Sequence, residues 1–254
     1  MSSTLKATAL LVLLIHLAPA VCVRAADAGV GGDLIKRAAF GDRYTTRAQH
    51  DPNGIGKFYL GREIARVMGH QGADWLERAN REEEENTTRL VELLQLKPGE
   101  QVADIGAGTG YLTRRMAPLI GKSGQVYAVE IQSEMLTMLT NKLAGVGITN
   151  VVPVLGTEKD PKLPDASIDM IVMVDVYHEF EFPFEMTQAM TRALKTGGRL
   201  VFVEFRAEDP TVAIKAVHKT SESQIKKEML AHPLEWVETK RDLPKQHLIV
   251  FRKK

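Results

Sequence analysis

Cysteine is almost absent from this sequence: Cys22 is the only one in 254 residues. No intrachain disulfide can form, and a fold of this length must rest on its apolar core. Charge of one sign is lacking too. Lys and Arg number 33 against 32 Asp and Glu, which leaves no global field to draw in nucleic acid, so no nucleic-acid partner is expected. Aromatic residues are 6%. No tandem repeat is visible, and past the first two dozen residues no apolar run is long enough to span a bilayer.

That N-terminal run differs in kind. After Lys6 comes "ATALLVLLIHLAPAVCV", Ala7 to Val23, followed by Arg24 and Ala25. A positive charge, a short apolar stretch and then small residues have the layout of an export signal, so residues 1–25 are expected to be a cleaved signal peptide and the mature chain to be periplasmic or secreted. The segment would touch membrane only if left uncleaved. Cleavage after Ala25 would also remove the cysteine.

Residues 26–91 are expected to form a helical lead-in or lid. "KFYLGREIARVM" (Lys57 to Met68) has Leu60, Ile64, Val67 and Met68 at helical spacing, and Gly69 and Gly72 break the pattern. Glu82 to Glu85 read as the solvated start of a helix, with the acids near its positive end. Asn86-Thr87-Thr88 matches a glycosylation triplet. Trp75 and Tyr59 fit either a lid or ordinary core packing.

From residue 92 to 254 strands and helices alternate. "QVADI", "QVYAVEI", "NVVPVL", "IDMIVMVD" and "RLVFVEF" read as strands, and "YLTRRMAPLI", "SEMLTMLTNKLAG" and "FEMTQAMTRAL" as helices. This rhythm predicts an α/β fold: a Rossmann-like, mostly parallel sheet with right-handed crossovers. The rhythm changes after the helix "SESQIKKEMLA". "LEWVETK" and "QHLIVFRK" are too close for a crossover helix, so the last strand should run antiparallel.

Chemistry concentrates in "VADIGAGTGYL", Val102 to Leu112. Gly106, Gly108 and Gly110 form G-x-G-x-G after a strand, but Tyr111 stands where a dinucleotide fingerprint needs its last glycine. Asp104 would repel a pyrophosphate. A phosphate-free ligand with an ammonium and a sulfonium would not be repelled, and S-adenosylmethionine is such a ligand. Glu130, about twenty residues on at a strand end, is placed to accept ribose hydroxyls.

With these motifs, together with "VYAVEIQSEML", "LPDASIDMIVMVDVYHEF" and "LKTGGRLVFVEFR", the chain from about Glu92 resembles the class I S-adenosylmethionine-dependent methyltransferases. It is also similar to exported or hypothetical bacterial methyltransferases carrying "ADWLER", "REEEE" and "VDVYHEF". The resemblance implies a seven-stranded sheet with a reversed last strand and S-adenosylmethionine as cofactor. Asp104, Gly106, Ala107 and Gly108 would line its methionine and ribose side, and Gly110 would admit the first helix. Glu130 would bind the ribose, Ile131 would pack on the adenine, and Thr157 or Glu158 would reach the adenine amine. Asp175 and Val176 would lie near the methyl group. Tyr177 and His178 are the catalytic candidates, a histidine there being able to take a proton from the acceptor.

Other readings stand beside these. Asp104 could cap the glycine turn, Glu130 could be an exposed strand end, and His178 could orient its loop. His70 and His247 read as structural. No metal site is picked out. A small organic or lipid-like acceptor fits best, since the Asn/Asp-Pro-Pro-aromatic motif of base methylation and the cysteines of arsenic methylation are both missing. A non-catalytic nucleotide binder and an NAD-linked oxidoreductase share the fold class. Oligomeric state is not legible.

Overall fold

The computed structural model describes residues 43–254. The expected signal segment and Cys22 lie outside the described residues, as does the lead-in before Arg43. Among the described residues no helix is long and apolar enough to cross a membrane.

The described chain opens with strands rather than the expected helix. β1 (Tyr44–Thr46), β2 (Gly54–Tyr59) and β3 (Arg62–Ala65) form an antiparallel three-stranded sheet. Leu60 and Gly61 are both at positive φ, 48° and 98°, the backbone of a two-residue hairpin turn whose twist suits the flanking strands. Tyr59 faces Arg62 and Phe58 faces Glu63 across it. The helical spacing of "KFYLGREIARVM" was a coincidence that Gly61 overrides. Three short helices follow: α1 (Ala73–Leu76), α2 (Arg81–Glu85) and α3 (Thr87–Leu93). Asn86 is left-handed and caps α3, its side chain accepting from Arg89 N at 3.1 Å. The glycosylation triplet is thus a helix cap with Thr87 buried.

The main sheet has seven strands. They are β4 (Gln101–Ile105), β5 (Gln125–Glu130), β6 (Val151–Leu155), β7 (Ile168–Val174), β8 (Leu194–Phe205), β9 (Leu234–Lys240) and β10 (Gln246–Lys253), in the order β6-β5-β4-β7-β8-β10-β9. The first five are parallel, and β10 is antiparallel to both neighbours, as expected. Helices α4 (Thr113–Ile120), α5 (Ser133–Val146), α6 (Pro183–Ala193) and α7 (Glu222–Met229) complete the element list. α5 runs past the expected stop at Gly145 and ends on left-handed Gly147.

Successive residues of the central strands feed opposite cores. In β7, Ile171 and Met173 join Ile105, Phe202 and Ile249 on one face, while Met170 and Val172 join Val102, Val201 and Leu248 on the other. Both faces being buried explains why these strands read as continuous apolar runs. The chain leaves β4 in one direction through β5 and β6, then returns on its other side through β7 and β8. That reversal opens a crevice at the carboxyl ends of β4 and β7, the place where such sheets bind ligands.

Candidate active site

The crevice is floored by the glycine loop. Gly106 and Gly108 follow β4 at φ of 71° and 53°, and Gly106 N and Ala107 N both donate to Val129 O, at 2.9 and 3.0 Å. A Cβ on Gly106 would lie 2.5 Å from Val176 Cγ2, and one on Gly108 2.5 Å from Leu76 Cδ1. Conformation demands glycine at both positions, and the stiff Val176 side chain adds a demand of space at Gly106. Gly110 differs from expectation: its hydrogen faces Leu139 of α5, so it admits that helix rather than the first one after the loop.

Three acids stand at neighbouring strand ends: Asp104 in β4, Glu130 at the end of β5 and Asp175 just after β7. Asp104 is buried and accepts from Thr113 Oγ1 at 2.5 Å. Burial pushes its carboxyl up to about 6, with the Thr113 hydrogen bond and the Arg81 charge pulling the other way. Glu130 is no exposed strand end: Oε2 accepts from Gly108 N at 3.0 Å, and Oε1 accepts from Ile131 N and Gln132 N at 2.8 and 3.0 Å. It fastens the end of β5 to the glycine loop. Asp175 is left-handed at φ 52°, a conformation that costs an aspartate energy and is typical of functional turns. Its Oδ2 accepts from Gln246 Nε2 at 3.0 Å, while Oδ1 is buried with no partner. Burial, with Glu85 and Glu204 nearby, holds this carboxyl well above the usual range.

Ile131, 39% exposed, presents an apolar side chain beside Glu130. Thr157 and Glu158 follow the end of β6, where Gly156 N donates to Glu130 O at 2.9 Å. Thr157 N donates to Asp160 O at 2.9 Å and its Oγ1 accepts from Asp160 N at 3.1 Å. The hydroxyl is committed to its own turn, and Glu158 is exposed.

Beyond Asp175 the chain makes one tight turn, Tyr177–Glu179. Tyr177 does not face the crevice, contrary to expectation. It is fully buried, its hydroxyl donates to Glu228 Oε2 at 2.6 Å, and it packs edge-on against Phe180 and Phe202. Glu228 in turn takes both arms of Arg62, at 2.8 and 2.9 Å, which pins the β2–β3 hairpin to α7. His178 is also buried. Its Nδ1 lies 2.6 Å from Glu204 Oε2, and its Nε2 lies 3.1 Å from His218 Nδ1. Burial disfavours the charged ring, but Glu204 outweighs it and raises the pKa. Glu179 accepts from Met68 N at 3.3 Å and is pushed up to about 7, mainly by burial. His218 is pulled down to about 4 by burial and the His178 charge.

A profile of the family described as "Methyltransferase domain" matches residues 96–245. The chain belongs to that methyltransferase family. Its members transfer methyl groups from S-adenosylmethionine. Among curated relatives, the methyltransferase is 33% identical over 127 residues to the ubiquinone/menaquinone biosynthesis C-methyltransferase UbiE of Pseudomonas paraeruginosa, covering 50% of each chain. It is 34% identical over 110 residues to the protein of that name from Laribacter hongkongensis, covering 43% of this chain and 45% of the other. The chain thus spans about half the length of the curated relatives it matches. A SAM dependent methyltransferase from Aquifex aeolicus superposes with a TM-score of 0.68 at 21% identity, over 73% of this chain and 98% of the other. The cyclase SpnF does so at 0.56 and 15%, over 65% and 80%. Both likenesses concern the fold alone.

Several residues of the methyltransferase site were not legible in its sequence. Segment 68–85 lies along the glycine loop. Glu77 accepts from Thr109 Oγ1 at 2.6 Å and from Arg114 at 2.6 and 2.8 Å. Gln132 joins Met68 O and His70 N, at 3.0 and 2.8 Å. The glutamate run is not wholly solvated, since Glu85 is buried between Arg78 and Arg81. Arg81 lies over the Tyr111 ring, 4.4 Å from its centroid. Trp75 is exposed with Arg78 stacked on it, Tyr59 is core, and His247 is buried as expected.

Proposed function

We propose that this methyltransferase moves a methyl group from S-adenosylmethionine to a carbon atom of a small organic or lipid-like acceptor. The observation that carries the cofactor half is the pair of acids at the glycine cradle: Asp104, buried at the end of β4, and Glu130, whose Oε2 accepts from Gly108 N at 3.0 Å. A cationic ligand satisfies such a pair. At about 4 Å and an effective dielectric of about 20, an ammonium beside a carboxylate gains about 4 kcal/mol, and a pyrophosphate there loses a comparable amount. The sign of that interaction favours S-adenosylmethionine over NAD. The carbon acceptor is supported by the names of the curated relatives, which are C-methyltransferases.

The cofactor, when bound, supplies an electrophilic methyl carbon on a sulfonium. The chain's own residues do the positioning. Asp104 holds positive charge, Glu130 keeps the glycine loop in place and offers its carboxylate to the ribose, and Ile131 gives the adenine an apolar surface. Val176 and Leu76 close over the loop and keep water out. A carbon–carbon bond forms, the carbon–sulfur bond breaks with its electron pair going to sulfur, and one proton leaves the acceptor. Alignment matters more than acid or base strength in such an in-line displacement. The acceptor side is the turn after Asp175, where His178 stands.

Calorimetric titration of the protein with S-adenosylmethionine, its demethylated product and NADH tests the reading. Micromolar binding of both sulfur nucleotides with none of NADH is expected. Binding of NADH alone, or of neither class, would overturn it.

A further inference from the structure

We propose that His178, Glu179 and His218 form a binding site for one divalent transition-metal ion of the zinc class, with Glu204 as the positioning residue behind His178. The three side chains offer His178 Nε2, His218 Nδ1 and a Glu179 carboxylate oxygen, all within 4.8 Å of one another. The two nitrogens are 3.1 Å apart, and His218 Nδ1 is 3.8 Å from Glu179 Oε1. A tetrahedral ion with bonds of about 2.0–2.1 Å needs donors roughly 3.3 Å from one another. The two nitrogens already have about that spacing, and Glu179 has only to move inward to complete the set.

Glu204 sets the tautomer. With its carboxylate 2.6 Å from Nδ1, that nitrogen carries the donated proton and Nε2 keeps its lone pair directed at His218. A carboxylate behind a histidine in this way is the common support of a metal-bound imidazole. Glu204 is itself fully buried, and its Oε1 accepts from Tyr177 N at 2.9 Å, so the support is rigid.

Charge points the same way. Two carboxylates and two imidazoles share the site, a donor set suited to a dication. Access is graded: the His178 side chain is 2% exposed, Glu179 13% and His218 21%. An ion entering from the His218 side would have three protein ligands, the His-His-Glu set that leaves a fourth position for water or substrate.

What the ion would do rests on the C-methylation reading; that it binds does not. An acceptor hydroxyl in the fourth position would lose its proton to water and stay on the ion as an oxyanion, making the adjacent carbon nucleophilic. After methyl transfer the carbon–hydrogen proton leaves to water, its bonding pair returns the oxygen to an oxyanion, and a proton from water regenerates the hydroxyl. His178 then acts as a ligand rather than as a free base.

The test uses the full chain without a histidine tag, stripped with chelator and titrated with Zn²⁺ and with Co²⁺, following heat and the visible bands of cobalt. One equivalent should bind, with the intense bands of a four-coordinate cobalt centre. His218→Ala should abolish those bands, Glu204→Gln should weaken binding roughly 10- to 100-fold, and His50→Ala should change neither. Circular dichroism and S-adenosylmethionine affinity on the same samples report folding and the cofactor site separately. Absence of stoichiometric binding, or binding that survives His218→Ala, would overturn the metal site while retained cofactor affinity left the methyltransferase reading standing.

Discussion

Asp104 carries a pH dependence of definite sign. Its folded value of about 6 lies above that of a free aspartate, because burial outweighs Thr113 and Arg81 and because Glu130 adds repulsion. The stability this group contributes is greatest below about pH 4 and is lost as pH rises through about 6. Binding of a cationic ligand follows the opposite course, since it requires the carboxylate. S-adenosylmethionine affinity should fall about tenfold between pH 7.5 and pH 5. Asp104→Asn should flatten that profile, and a flat wild-type profile in calorimetry would reassign the acid. Glu130 makes a separate prediction. Its removal frees three backbone N–H groups, so Glu130→Ala should weaken cofactor binding at least about tenfold and lower stability by roughly 2 kcal/mol or more. Unchanged affinity in a folded variant would confine Glu130 to holding the loop. The placement of these acids was legible because a strand, a glycine turn and an acid at the next strand end are local in sequence. His178 was legible for its place after β7. Glu204, His218 and Glu228 were not, since they join the turn from 26 to 51 residues away.

At the scale of elements, the β2–β3 hairpin shows where sequence reading failed and why. Leu60, Ile64, Val67 and Met68 stand at helical spacing, and only the Leu60–Gly61 turn separates the two outcomes. The hairpin is held by Arg62, whose guanidinium meets Glu228 in a site closed to water. A buried pair of this kind contributes little against an apolar replacement, but breaking it leaves one charge stranded at about 3–5 kcal/mol. Arg62→Ala should therefore cost roughly that amount in urea unfolding. Arg62→Met combined with Glu228→Gln, which keeps an acceptor for Tyr177, should recover more than half of the loss. Equal destabilisation in the single and double variants would show that packing, not charge, holds the hairpin.

Across the whole molecule, the alternation of strands and helices made the parallel sheet and its reversed strand readable before any coordinates, because both faces of the sheet are buried and the crossovers are short. The count of seven strands came only through the family resemblance, and their order was not legible. Ligand binding should register at this scale as well. S-adenosylmethionine at about a hundred times its dissociation constant should stabilise the folded state by about 2.7 kcal/mol, a rise of roughly 5–10 °C in the unfolding midpoint for a chain of this size. NADH should leave the midpoint where it was, and differential scanning fluorimetry reads both.

β10 lies between β8 and β9 although it follows both in the sequence. Until β10 is in place, β9 has no partner strand and the edge of β8 away from β7 stands open. Completion of the sheet thus waits for β10, and a chain stopped short of it carries a bare strand edge that a chaperone must shield. A disruptive substitution in β10 would be felt inside the sheet, not at its rim.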